Sequence, residues 1–243
     1  MNREYNVFER YFSDQDYMEF EYCGSRESID HFLSMYDSGE LIEGNAPDMV
    51  LVKENEAIIM EHFEFDSFPS NRKGSTRAQE EKRIDRVYDR QEATADGVYF
   101  SETIRNFNSY VDYVRNVKKN FLDHYSKIES YKTNLKNRGI IDDNTDLKVM
   151  FVIEDKSTLG TIVKDENKET QLVMLHHSPE FLQMFSECVN VDYILFFTSF
   201  RRKDYASFID RGNLCAYFDE ALDYKNMKFL AFRPHVIMFK KYV

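Results

Sequence analysis

The chain has few cysteines, and none is placed for structural chemistry. Cys23, Cys188 and Cys215 are odd in number, lie far apart and show no Cys-x-x-Cys spacing. Neither a disulfide framework nor a zinc site is indicated, and a reducing compartment is expected. The first residues lack the apolar stretch of a signal peptide, and no window approaches the roughly 18 apolar residues that a transmembrane helix needs. We therefore expect a cytoplasmic protein.

Glycine, proline and tryptophan are also scarce, whereas charge is abundant. The 243 residues include 8 Gly, 4 Pro and no Trp, and 42% of them are hydrophobic. This composition is typical of an ordered globular protein, and we expect one domain over residues 1–243. The net charge of −11 excludes a protein that coats nucleic acid non-specifically, because that needs a cationic surface. An enzyme with a metal site is not excluded, since such a site concentrates acids.

Several familiar catalytic motifs are missing. The sequence has no Walker A loop, no Gly-x-Gly-x-x-Gly, no His-Glu-x-x-His and no Gly-x-Ser-x-Gly, which removes the commonest nucleotide-binding and hydrolase classes. His176 and His177 are adjacent, and neighbouring residues on a strand point to opposite faces. We therefore interpret them as polar residues before a helix cap and not as a metal pair.

A β-hairpin is the simplest prediction for residues 47–64. If Lys53-Glu54-Asn55-Glu56 makes the turn, Val52 faces Ala57 and Val50 faces Ile59. The same register brings Asp48 opposite Glu61. Opposed residues on antiparallel strands have Cβ atoms about 4.5–5.5 Å apart, so these two acids are predicted to meet.

Two carboxylates so close repel each other unless a cation or a proton lies between them. Hard oxygen ligands suit Mg²⁺ or Mn²⁺, so the hairpin predicts a divalent metal site at Asp48 and Glu61. Glu61 shares a strand face with Phe63 and Phe65, which is costly for an acid unless something compensates its burial. Glu64 is a candidate ligand for a second ion, and His62 is a candidate ligand or phosphate contact.

Residues 101–138 contain no Gly or Pro, and their apolar residues step by three or four positions. This pattern predicts a long helical segment, within a helical insertion at about 99–140. A straight helix of that length would exceed what a compact domain needs. Three alternatives remain: one helix packed on its own domain, two antiparallel helices, or a projecting coiled coil that pairs with a second copy.

The rest of the chain predicts further strands and helices. A helix is expected from Ser25 to about Gly39, and another from the Ser178 cap to Cys188. Apolar runs at 147–154 and 192–198 predict buried central strands. A polar helix is expected at about 76–91. The fold class is therefore α/β, with a mixed central sheet flanked by helices.

The order of these elements resembles the core of the PD-(D/E)XK nuclease superfamily, which has the restriction-endonuclease-like fold. Pro47-Asp48 matches the Pro-Asp of that family on the first strand of a hairpin, and Glu61 matches its second acid on the following strand. The resemblance implies that these two acids hold Mg²⁺, which positions a water for attack on a phosphodiester. The match covers residues 25–90 by motif and 147–200 by strand pattern.

One position departs from the family pattern, because the lysine expected two residues after the second acid is Phe63 here. The resemblance implies that a lysine from elsewhere takes its place, and the candidates are Lys73 and Lys82. Gln79, in the predicted helix, is similar to a Gln found in many family members and would support the cleft.

A second match to the motif lies at the end of the predicted strand 147–154. Glu154-Asp155-Lys156 is a literal Glu-x-Lys, with Asp143 or Asp146 upstream as its partner acid. The short spacing leaves little room for a hairpin there. Glu154 could instead contribute to the cleft of Asp48 and Glu61 if the strands are neighbours.

The resemblance implies a metal-dependent nuclease with DNA as its expected substrate, in a prokaryotic or phage setting of nucleic-acid processing or defence. The alternative is a catalytically inactive interaction protein that keeps the nuclease fold, lacks the lysine, and assembles through the helical segment as a homodimer.

Overall fold

The structure is a computed structural model that describes residues 18–23, 25–66, 70–71, 74–75, 100–108, 110–156, 161–164, 170–172, 174–200, 203–214 and 228–237, with side chains in 25–66, 110–156, 174–198 and 205–214. Its main element is an open sheet of seven strands. In chain order these are β1 (Met18–Cys23), β2 (Glu40–Glu43), β3 (Met49–Lys53), β4 (Glu56–Phe65), β8 (Asp146–Asp155), β11 (Tyr193–Phe200) and β12 (Lys203–Asp210).

The strands lie in the order β1-β12-β11-β8-β4-β3-β2. The central strands β4, β8 and β11 are mutually parallel, whereas β2, β3 and β4 form an antiparallel meander. At the far edge, β1 pairs with β12 in parallel. The sheet is therefore mixed, as predicted, and β8 at its centre is buried along most of its length.

The hairpin of β3 and β4 forms in the predicted register. Val50 pairs with Ile59 and Val52 pairs with Ala57. Glu54 and Asn55 make the turn, and Glu54 takes the left-handed conformation with φ of 54°. Long apolar runs on both strands fix this register, because a slip by one residue would turn every buried side chain to the other face.

Helices cover both faces of the sheet. They are α1 (Arg26–Ser38), α2 (Tyr110–Tyr125), α3 (Ile128–Asn137) and α4 (Pro179–Glu187). The core beneath α1 includes Met60, and the opposite core, which we call the α2–α3 face, includes Ile59. Both caps form as predicted: Ser25 accepts from the backbone N–H of Ser28, and Ser178 accepts from Phe181.

The predicted helix over 101–138 is wrong in its first part. Residues Phe100–Asn108 form strand β7, and the helices begin only at Tyr110. Ser126 and Lys127 then separate α2 from α3, although Lys127 keeps a helical backbone. The apolar stripe of both helices packs into the core of this chain, so the alternative in which that stripe projects and forms a coiled coil is not supported.

Smaller strands make two further sheets. Strand β7 pairs with β13 (Lys228–Ile237), which pairs with β9 (Thr161–Lys164), and β9 pairs with β10 (Thr170–Leu172). A short pair joins β5 (Ser70–Asn71) and β6 (Gly74–Ser75). No helix in the described part of the chain has both the length and the apolar character needed to cross a bilayer.

Candidate functional site

Asp48 and Glu61 meet at the open end of the β3–β4 hairpin, as the sequence predicts. Asp48 directly precedes β3, one residue beyond the last ladder pair of Met49 and Met60. The backbone N–H of Asp48 donates to Oε2 of Glu61 at 3.4 Å, and the backbone N–H of His62 donates to Oδ2 of Asp48 at 2.8 Å. Each carboxylate thus accepts a hydrogen bond from the opposite strand, which fixes both side chains at this end.

Glu61 is buried, with 5% of its surface exposed, and two helices supply its remaining partners. The hydroxyl of Tyr131 on α3 donates to Oε1 of Glu61 at 2.5 Å. Nδ1 of His124 on α2 lies 2.7 Å from the same oxygen. These contacts offset the cost of burying the carboxylate, and they explain how an acid stands between apolar residues of β4.

The charges of both acids act on the pKa of Tyr131. Its pKa is raised far above the ordinary value, first by burial, then by the hydrogen bond and charge of Glu61, and further by the charge of Asp48. Tyr131 therefore stays protonated and acts as a donor at any physiological pH. Its hydroxyl lies in the field of both carboxylates.

Phe63 occupies the position where the PD-(D/E)XK pattern has lysine. Its ring stacks on the imidazole of His124, with centroids 4.8 Å apart and an interplanar angle of 15°. It also packs edge-on against Phe151 of β8 at 5.9 Å. Phe63 thus orients His124 towards Glu61, and the lysine position is filled by a ring that belongs to the core.

Sequence reasoning missed His124 and counted Tyr131 only as part of the apolar stripe. The two residues lie on different helices, α2 and α3, and both contact Oε1 of Glu61. The signal available in the sequence was the position of His124 within an apolar stripe, since that stripe packs on a strand that carries a buried acid. The pairing itself depends on how the helices dock.

An open cleft of about 510 Å³ lies between residues 43–46 and the end of α3, where Asn134 and Arg138 line it. The side-chain amide of Asn134 donates to the carbonyl of Ala46 at 2.5 Å. The backbone N–H of Gly44 donates to the carbonyl of Asp48 at 2.8 Å. These two hydrogen bonds tie the loop that lines the cleft to α3 on one side and to Asp48 on the other.

Glu64 does not join Asp48 and Glu61, and its role as a ligand for a second ion stays a prediction. Side chains alternate along a strand, and Glu64 lies on the α1 side of the sheet with His62. There Lys156 Nζ is 3.7 Å from Oε1 of Glu64, and it also bonds Glu154. Nε2 of His62 lies 3.4 Å from Oε2 of Glu154, an ion-pair distance.

The alternative centre at Glu154-Asp155-Lys156 is therefore a separate polar cluster on the opposite side of the sheet from Glu61. Burial alone would raise the pKa of Glu154, but its polar contacts with His62 and Lys156 lower that pKa to about 2. Asp143 forms an ion pair with Lys136 at 2.6 Å. Glu154 is thus held as a carboxylate and contributes nothing to the Asp48–Glu61 cleft.

Three predicted site residues, Lys73, Gln79 and Lys82, lie outside the described residues. His176 and His177 form a short 3₁₀ turn instead of a strand. Burial, with a smaller contribution from His177, lowers the pKa of His176 to about 3. It is therefore neutral near pH 7.

The chemistry of the acid pair and its neighbour suits a divalent ion. Two carboxylates with one imidazole are ligands that Mg²⁺ and especially Mn²⁺ accept. Among the described residues, however, no group of three or more His, Cys, Asp or Glu side chains is arranged to hold a metal ion. Ligation by His124 would require its ring to exchange the contact with Glu61 for the ion.

No family model, curated protein or solved structure matches this chain.

Proposed function

We propose that this chain is a metal-dependent nuclease, a phosphodiester hydrolase with DNA as its expected substrate. Asp48 and Glu61 would hold Mg²⁺ or Mn²⁺. The observation that carries the proposal is their meeting at one end of the hairpin, in the register that the sequence predicts. Bringing two carboxylates together costs free energy unless a cation compensates it, and a metal ion is the simplest compensation.

The order of the elements supports the same proposal. Helix α1, the antiparallel strands β2 to β4, the helices α2 and α3, and the parallel strand β8 occur in this order along the chain, with β5, β6 and β7 between β4 and α2. This order is similar to the core of the PD-(D/E)XK superfamily. A restriction-endonuclease-like fold is accordingly part of the proposal.

The bound ion would position a water and stabilise charge on the scissile phosphate. Tyr131 holds the carboxylate of Glu61 in place through its O–H, and Phe63 holds His124 by stacking. One fifth of the His124 side chain is exposed, so its imidazole can be reached from solvent. His124 would take over proton handling where the family pattern has lysine; Lys73 and Lys82 stay alternatives for that role, with Gln79 in support.

A second function has its own supporting observation. Oε1 of Glu61 already accepts from Tyr131 and contacts His124, and Phe63 fills the lysine position. A protein that kept the fold and lost catalysis would show this packing. In that case the chain would be an interaction or assembly protein. A homodimer through the helical segment would have to use its outer surface, where Val111 and Leu122 are exposed.

The setting belongs to the same proposal: a cytoplasmic protein of a prokaryote or phage, acting in nucleic-acid processing or defence. This setting follows only from the resemblance to the nuclease superfamily.

Cleavage assays test the function directly. Plasmid, single-stranded DNA and RNA would be incubated with Mg²⁺ or Mn²⁺ and with wild type, Asp48→Asn or Glu61→Gln. We expect cleavage by wild type only, while the exposed-acid control Glu40→Gln stays active. Equal cleavage by all four proteins would place the chemistry elsewhere, and a wild type inactive on every substrate would favour the assembly function.

A further inference from the structure

The helices beside the acid pair carry charge of the opposite sign to the whole chain. Residues 110–138 contain seven Lys and Arg and three Asp and Glu, whereas the chain as a whole has a net charge of −11. Positive charge is thus concentrated on the segment that also supplies His124 and Tyr131. Such segregation is typical of a surface that meets a polyanion.

Several of these cations are already neutralised. Arg115 pairs with Asp112, Lys132 with Glu129, and Lys136 with Asp143. Four others form no ion pair with any described residue, and they are Lys118, Lys119, Lys127 and Arg138.

Arg138 is distinguished from the other three by its place in the cleft. It lines the cleft with Asn134 and the loop 43–46. A Cβ built on Gly44 would lie 3.4 Å from Nη1 of Arg138, so the guanidinium lies over the loop. An arginine at the end of a helix often serves only to offset the helix dipole, but here the guanidinium lies beside Gly44, whose backbone N–H donates to the carbonyl of Asp48.

We propose that the cleft between the loop 43–47 and α3 is a phosphate-binding subsite, in which Arg138 holds a backbone phosphate of a nucleic-acid strand beside Asp48 and Glu61. This inference rests on the proposed nuclease function and names a contact that delivers the substrate. A guanidinium suits the role because its planar N–H groups match phosphate oxygens. Glu43 stands in the same cleft and opposes the phosphate, which limits affinity.

Binding can be measured without catalysis by fluorescence anisotropy of a labelled single-stranded DNA oligonucleotide in EDTA. We expect Arg138→Ala to weaken binding roughly three- to tenfold and to lower the slope of log K against log salt by about 0.7, the value for one contact to a single strand. Arg138→Lys should restore part of the affinity. Glu43→Gln should strengthen binding.

Lys119→Ala is the matched control, because it removes one exposed, unpaired cation from the same helical segment away from the cleft. It should leave the affinity close to that of wild type. Equal losses in Arg138→Ala and Lys119→Ala, or no loss in Arg138→Ala, would overturn the subsite.

The two proposals fail separately. If Arg138→Ala binds DNA more weakly and wild type does not cleave, the phosphate subsite is supported and the nuclease function is rejected. Cleavage by wild type with unchanged binding by Arg138→Ala removes the subsite and leaves the hydrolase.

Discussion

At the scale of single residues, the stability of the molecule depends on how the buried charge of Glu61 is compensated. Glu61 stands on a strand face made of apolar side chains, and a donor from α3 and an imidazole from α2 satisfy it. An unpaired charge at this position would be strongly destabilising. The same contacts that make the site stable also fix the carboxylate for any ligand.

Tyr131→Phe should therefore reduce the free energy of unfolding by about 1–3 kcal/mol, because it removes the O–H that Glu61 accepts from and keeps the ring. Urea denaturation at neutral pH would measure the loss. Tyr125→Phe is the control, since Tyr125 is half-buried on the neighbouring helix and should change stability by less than about 0.5 kcal/mol. Equal losses would mean that the Glu61 contact adds nothing.

Glu154 gives a prediction about pH. Its pKa in the folded protein, about 2, is below the ordinary value of 4.5, so the unfolded chain binds the proton more tightly. The resulting stabilisation is complete above about pH 4.5 and is lost as the pH falls towards 2.

Glu154→Gln should therefore flatten the fall in stability over that acidic window, as measured by urea midpoints from pH 7 downwards. Comparing the variant with wild type cancels the acid sensitivity that His176 adds. The exposed Glu129→Gln serves as control and should keep the wild-type slope. An unchanged slope in Glu154→Gln would contradict the interpretation.

At the scale of elements, capping gives a clear expectation. Ser178 accepts from the backbone N–H of Phe181 at 3.2 Å, and its hydroxyl lies 2.6 Å from that of Tyr110. Ser178→Ala should cost about 1–2 kcal/mol in urea denaturation, because the first turn of α4 loses its acceptor. Ser186→Ala, in the exposed last turn of α4, should cost far less. A similar loss in both variants would show that capping is not the cause.

The hairpin, both helix caps and the buried strands could be predicted because their signals are local. Period-two patterning fixed the pairing of Val50 with Ile59, and so it brought Asp48 to Glu61. The strand at Phe100–Asn108 could not be predicted, because its partner β13 lies more than a hundred residues away in the sequence. The spacing of the apolar residues in this segment is compatible with a helix or with a strand. Only the pairing with β13 decides between the two.

The acids of the candidate site could be predicted from the sequence, but the residues that contact Glu61 from the helices could not. Asp48 and Glu61 follow from register, whereas His124 and Tyr131 depend on the docking of two helices over β4. The alternation of side chains on β4 places Glu64 on the face opposite Glu61. Its contact with Lys156 depends on the pairing of β4 with β8 and could not be predicted.

At the scale of the whole molecule, metal binding should raise the stability of the folded state. A ligand that binds only the folded state raises its stability by about 2.7 kcal/mol at a hundredfold excess over Kd. We expect Mn²⁺ to raise the melting temperature of wild type. Asp48→Asn should lose most of this shift, and Glu40→Gln, which removes one exposed acid elsewhere, should keep it. Equal shifts in all three proteins would indicate ion binding unrelated to the hairpin.

The pairing of β1 with β12 has a consequence for biosynthesis. Residues 18–23 leave the ribosome long before residues 204–209, their strand partner, are made. The contact of Ser28 with Asp210, 2.6 Å between Oγ and Oδ2, joins the same two distant segments. A nascent polypeptide released before this point would present an unpaired edge to its neighbours. Premature termination should therefore yield fragments that need a chaperone to escape aggregation.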